Sequence, residues 1–126
     1  MKHHSNLTNK QKEKLAKKIF DTAKVYEKTT DYETALSWVF NAYELYTDCE
    51  NKSLLKEIGE CEFALMKLNK ITGRLEEALT FANCAQKTYT RLAKKDEKAK
   101  SVLKEIKSFK TELEQRLNKN DSLTKN

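Results

Sequence analysis

Three cysteines, Cys49, Cys61 and Cys84, and two histidines, His3 and His4, are the side chains of this sequence most suited to act as nucleophiles, metal ligands or proton shuttles. Their spacing supports none of those roles. Three is an odd number and no pair stands in C-x-x-C spacing, so neither a disulfide framework nor a zinc site is suggested. Free cysteine packs as a small hydrophobe, and three partly buried thiols in a reducing compartment are expected. Both histidines lie in the polar start MKHHSNLTNKQKEK and read as solvated, which leaves the folded region without a His-based general acid or a His-ligated metal. There is no Gly-rich phosphate loop, G-x-S-x-G, H-E-x-x-H or E-x-x-H. The acidic pair Glu76 and Glu77 falls at an expected helix start, where carboxylates complement the helix dipole. The sequence therefore predicts a non-enzymatic protein without metal or cofactor, and recognition by a surface is the function left.

The chain has 126 residues, the size of one domain. No proline, two glycines, 35% charged and 38% apolar residues remove nearly every turn signal that a sheet requires and predict an all-α fold. No apolar run approaches the roughly 20 residues of a membrane span, and the start lacks the apolar core of a signal peptide. The expected location is cytoplasmic, with the nucleus as the alternative, and no membrane partner is expected. The net charge of +6 is striped along the chain. Residues 1–18 carry six Lys against one Glu, 19–62 carry four Lys against ten acids, and 87–110 carry nine Lys or Arg against three acids. The acidic middle argues against a long nucleic-acid track. The basic 87–110 stretch keeps a nucleic-acid-associated helical protein as the alternative reading, and a merely solvated helix face as the plain one.

Apolar residues recur at helical spacing almost throughout, and the breaks fall where caps belong. Five helices are expected, over about residues 9–27, 32–47, 51–71, 75–92 and 96–117. Thr30 or Asp31 is the N-cap candidate of the second, and Gly73 ends the third in a left-handed turn. Connections of a few residues require antiparallel neighbours, that is, a helical-hairpin array. The domain is placed at 9–118, between flexible tails at 1–8 and 119–126.

DYETALSWVFNAY (31–43) and RLEEALTFANCAQ (74–86) read as one phrase repeated. A shift of 43 pairs Leu15 with Ile58, Phe20 with Phe63, Ala35 with Ala78, Trp38 with Phe81, Ala42 with Ala85 and Tyr46 with Tyr89. A hairpin whose second helix opens on an aromatic or Leu, then ETAL or EEAL, then a small residue seven further on, resembles the tetratricopeptide repeat. The spacing of 43, against roughly 34 for the common repeat, is similar to the longer-helix members of that superfamily such as the kinesin light chain type. Met66 and Asn69 depart from the usual small residue and Tyr. The resemblance covers about 16–92, with the fifth helix as a cap or degenerate third repeat. A plain helical bundle and, for 12–72, a microtubule-interacting-and-trafficking domain are the other readings; the latter leaves the second copy unexplained.

The resemblance implies that the first helix of each pair lines a groove holding a peptide or helix of another protein. The groove side then exposes Phe20, Asp21, Lys24 and Lys28 in the first copy and Phe63, Ala64, Lys67 and Lys70 in the second. The plain alternative is that both Phe rings are core. Members that clamp a C-terminal carboxylate need Asn where Lys24 and Ala64 stand, so that activity is expected to be absent. Trp38, the single Trp, either packs between the hairpins or serves as an exposed anchor with Tyr43 and Tyr46 following it. Two repeats are fewer than an array needs to bury its faces, so a homo-oligomer or a subunit role in a larger complex is expected, covering the outer side of the first helix.

Overall fold

A computed structural model describes residues 6–124, with side chains through 119. The two histidines and most of the expected N-terminal tail lie outside that range. The fold is all-α: α1 (Asn9–Lys28), α2 (Tyr32–Asp48), a 3-10 turn (Lys52–Leu54) leading into α3 (Leu55–Ile71), α4 (Leu75–Leu92) and α5 (Glu97–Thr124). Consecutive helices pack as neighbours, α1 on α2, α2 on α3, α3 on α4 and α4 on α5, giving an antiparallel hairpin array.

Local chemistry explains each boundary. Thr8 and Gln11 form a reciprocal capping box before α1, with Thr8 Oγ1 accepting from the Gln11 N–H at 3.1 Å. Asp31 caps α2 by accepting from the Thr34 N–H at 3.3 Å. The α1–α2 and α3–α4 turns are the same Schellman motif, 43 residues apart. In the first, the Thr30 and Asp31 N–H groups donate to Glu27 and Tyr26 carbonyls; in the second, those of Gly73 and Arg74 donate to Lys70 and Asn69. The left-handed position is Gly73 at φ +85° in one turn and Thr30 at φ +61° in the other. A β-branched residue there is strained and a glycine is not.

Two boundaries differ from expectation. The third helix begins later because Asn51 Oδ1 holds the Ser53 N–H at 3.0 Å and tightens residues 52–54 into the 3-10 turn. Its 17 α-helical residues span about 26 Å rather than the roughly 33 Å of an unbroken helix. The fifth helix runs to Thr124, so 119–124 continues it rather than forming a separate tail. Extending a docked helix adds one hydrogen bond per residue and avoids the cost of a nucleus.

The core runs through the hairpins as two clusters. Ala16, Ala23, Ala35, Val39, Ala42, Leu45, Cys61, Leu65 and Leu68 centre the first, and Met66, Ala78, Ala82, Ala85, Ile106 and Leu113 the second. The four alanines paired by the 43-residue shift, Ala35, Ala42, Ala78 and Ala85, are fully buried. Gly59, the counterpart of Ala16, extends this pattern, since a Cβ on it would lie 3.0 Å from both Thr88 Cγ2 and Tyr89 Cε2. The exposed surface of α1 is mainly charged. Lys10, Lys14, Lys17, Lys18, Lys24 and Lys28 are exposed on that helix, with Val25 its exposed large apolar residue.

Replacing Ala78 with Leu is expected to overpack the second hairpin and cost about 1–3 kcal/mol in urea unfolding; an unchanged midpoint would remove the close-contact assignment. Thr30→Gly is expected to raise stability by about 0.5–1 kcal/mol by relieving the left-handed turn. A lowered midpoint in that variant would show the turn to be unstrained.

Candidate interaction cleft

The anticipated groove residues divide between two environments. Phe20 and Lys24 line a cleft of about 230 Å³ between α1 and α3, together with Glu13, Lys14, Lys17 and Asp21 of α1, Tyr46 of α2, and Glu57 and Glu60 of α3. The Lys24 ammonium lies 4.9 Å from the centre of the Phe20 ring, the expected consequence of an i, i+4 pair on one helix face. Lys17 pairs with Asp21 at 3.4 Å. Glu57 Oε1 is buried in the cleft wall with no hydrogen-bond partner among the described residues. Glu57, Glu13 and Glu60 all lie close enough to Tyr46 to push its hydroxyl pKa further up, burial being the larger cause.

The second set is held elsewhere. The Lys67 ammonium sits 4.5 Å from the Phe63 ring centre, repeating the first copy's geometry, but α5 covers this side. Lys67 pairs with Glu105 at 3.4 Å, Lys70 pairs with Glu112, and Lys70 lies 5.0 Å from the Phe109 ring centre. Phe63 packs in the second cluster, edge-on to Tyr89 at 6.4 Å. Lys28 is exposed in the last turn of α1, apart from the residues lining the cleft. Trp38 is stacked on Tyr26 of the same hairpin at 6.4 Å with planes 10° apart. Its register counterpart Phe81 makes the contact between hairpins, edge-on to Tyr43 at 5.9 Å.

Glu62 was invisible as a structural centre in the sequence, where an acid on a charged helix reads as solvated. It is 5% exposed and joins three helices, accepting from Tyr43 Oη of α2 at 2.9 Å and Thr88 Oγ1 of α4 at 2.6 Å. Its counterpart 43 residues earlier is Ile19, and that apolar partner is the sequence signal for a buried position. Burial raises its pKa above the ordinary 4.5, while the hydrogen bonds from Thr88 and Tyr43 pull it back. Lys12, another buried charge, is 9% exposed and pairs with Asp48 at 2.6 Å, tying the start of α1 to the end of α2. Arg74 forks onto Glu33 at 2.9 and 3.2 Å across the exposed ends of the hairpins.

The thiols are packing groups. Burial pushes the Cys61 thiol up to about 12 and raises Cys49 and Cys84 as well, which disfavours the thiolate that nucleophilic chemistry requires. Among the described residues no cluster of His, Cys, Asp and Glu could hold a metal ion, and no helix is long and apolar enough to cross a membrane.

Because folding raises the Glu62 pKa, the native state holds that proton more tightly than the unfolded chain does. The stability this contributes is fully present below the unfolded pKa and is lost as pH rises through the folded one. The unfolding free energy of wild type minus that of Glu62→Gln is therefore expected to fall as pH is raised from about 4 toward neutral. A difference that rises with pH would mean that the two hydroxyl donors outweigh burial.

Compared with known proteins, the chain matches no family model, no curated protein and no solved structure.

Proposed function

We propose that this chain is a non-enzymatic protein–protein interaction module, an adaptor or small scaffold subunit, that holds a peptide or helix of another protein in the α1–α3 cleft. The observation that carries this reading is the open cleft itself, where Phe20 and Tyr46 supply apolar surface and α1 and α3 supply both signs of charge. At about 230 Å³ it falls below the roughly 300–1,000 Å³ of sites that enclose a small molecule, and it suits an anchor side chain projecting from a partner. The tetratricopeptide-like reading supports the same surface, because both hairpins turn and restart in one 43-residue register and the cleft lies between their first helices. Phe20 and Lys24 are the contacts on which the proposal rests; Lys67 and Lys70 instead pair with Glu105 and Glu112 of α5. Three free thiols suit a cytoplasmic location.

A photo-crosslinking amino acid in place of Phe20 is expected to trap a discrete protein partner in cells. The same group in place of Phe40, an exposed ring lining a separate pocket with Leu36, Leu65 and Phe81, is expected not to trap it. Equal capture at the two positions, or capture at position 40 alone, would reject the cleft as the docking site; circular dichroism of both variants checks the fold.

A further inference from the structure

A second cleft lies between α4 and α5. Asn83, Gln86, Lys87, Thr90 and Arg91 of α4 and Lys110 of α5 line a space of about 660 Å³. In the 43-residue register the five α4 positions correspond to Phe40, Tyr43, Glu44, Thr47 and Asp48 of α2. On α2 that side receives the next hairpin: Tyr43 meets Phe81 of α4, and Phe40 lies 6.5 Å from Tyr43. On α4 no further hairpin follows among the described residues, and Asn83 and Gln86 replace the two aromatics.

An array end must be polar to stay soluble, but solubility does not dictate the sign of the charge. Here the sign is inverted. Glu44 and Asp48 become Lys87 and Arg91, α5 adds Lys110, and none of the six lining residues is acidic. Lys87 and Arg91 stand one helical turn apart on one face of α4. Neither forms an ion pair among the described residues, unlike Lys67 and Lys70 on α3. Lys110 donates to Gln86 Oε1 at 3.2 Å, which holds its ammonium at the cleft and leaves the Gln86 amide N–H groups as donors. Two ammonium groups, a guanidinium fork and two side-chain amides match a compact, multiply charged oxyanion, because Arg and Lys donors to phosphate oxygens are the strong, charge-assisted kind.

We propose that the α4–α5 cleft binds a phosphomonoester group, carried by a small molecule or by a phosphorylated side chain. The site is separate from the α1–α3 cleft and does not rest on the adaptor reading. It acts on one phosphate rather than along a polynucleotide.

The test is a two-dimensional amide NMR titration of the whole chain with three probes: inorganic phosphate, a phosphoserine hexapeptide and a single-stranded dodecanucleotide. Saturable shifts confined to 83–91 and 107–113 are expected with phosphate and with the phosphopeptide. Lys87→Gln and Arg91→Gln, both at exposed positions, should each weaken them about tenfold or more, while Lys28→Gln on α1 should not. Similar affinity for phosphate and phosphopeptide assigns a small-molecule source, and a phosphopeptide bound at least about tenfold tighter assigns a phosphorylated protein. Shifts spread equally over the lysines of α1 would overturn the proposal as diffuse ion attraction. Tight binding of the oligonucleotide alone would overturn it in favour of a nucleic-acid track.

Discussion

Close approach of helix backbones through small residues is the constraint on which the structure depends. Ala16 and Ala23 on α1, Ala35 and Ala42 on α2, and Ala78, Ala82 and Ala85 on α4 are all fully buried, and a Cβ on Gly59 of α3 would lie only 3.0 Å from Thr88 Cγ2 and Tyr89 Cε2. Small residues at these positions let neighbouring helices interlock, so larger side chains such as Leu45, Leu65 and Leu68 fill the spaces beside them at interior density. The 43-residue register is the one-dimensional trace of that packing. A second hairpin that repeats the small positions of the first can stack on it without a new set of contacts.

Stacking also creates the tension visible at the seam. Glu62 takes the place that Ile19 holds in the first copy, and a carboxylate there must give up water. Its two hydroxyl donors come from the helices on either side, Tyr43 from the preceding hairpin and Thr88 from its own. The arrangement offsets part of the desolvation cost and ties the register between hairpins, because sliding either helix by one residue would cost the acid one of its two donors.

The two ends of the array are managed differently. At the α1 end the helix exposes charged side chains, of which Lys14, Lys17 and Lys24 line the α1–α3 cleft, together with Val25. At the other end α5 acts as the cap: Ile106 and Leu113 are fully buried against α4, and Glu105 and Glu112 reach α3. That cap engages the second copy's lysines through Glu105 and Glu112, whereas the first copy's Phe–Lys pair lines a cleft. Two equivalent sequence motifs thereby meet different surroundings.

The sequence by itself determined the elements and their register. The absence of proline, the 3.6-residue periodicity and local caps such as Asp31 and Gly73 act within a few residues of chain, so the all-α class, the bounds of α4 and the left-handed turn at Gly73 were all legible. It did not mark the continuation of α5 to Thr124, because polar composition resembles a tail and only a docked helix supplies the nucleus from which it propagates. Nor could periodicity tell Phe20 from Phe63, Trp38's stacking on Tyr26 from a contact between hairpins, or Glu62 from a solvated acid. These depend on which helix lies alongside, a relation between residues 12 to 42 positions apart. Only the tertiary structure decided it, because burial is set by what the neighbouring hairpin covers and not by the residue's own helix.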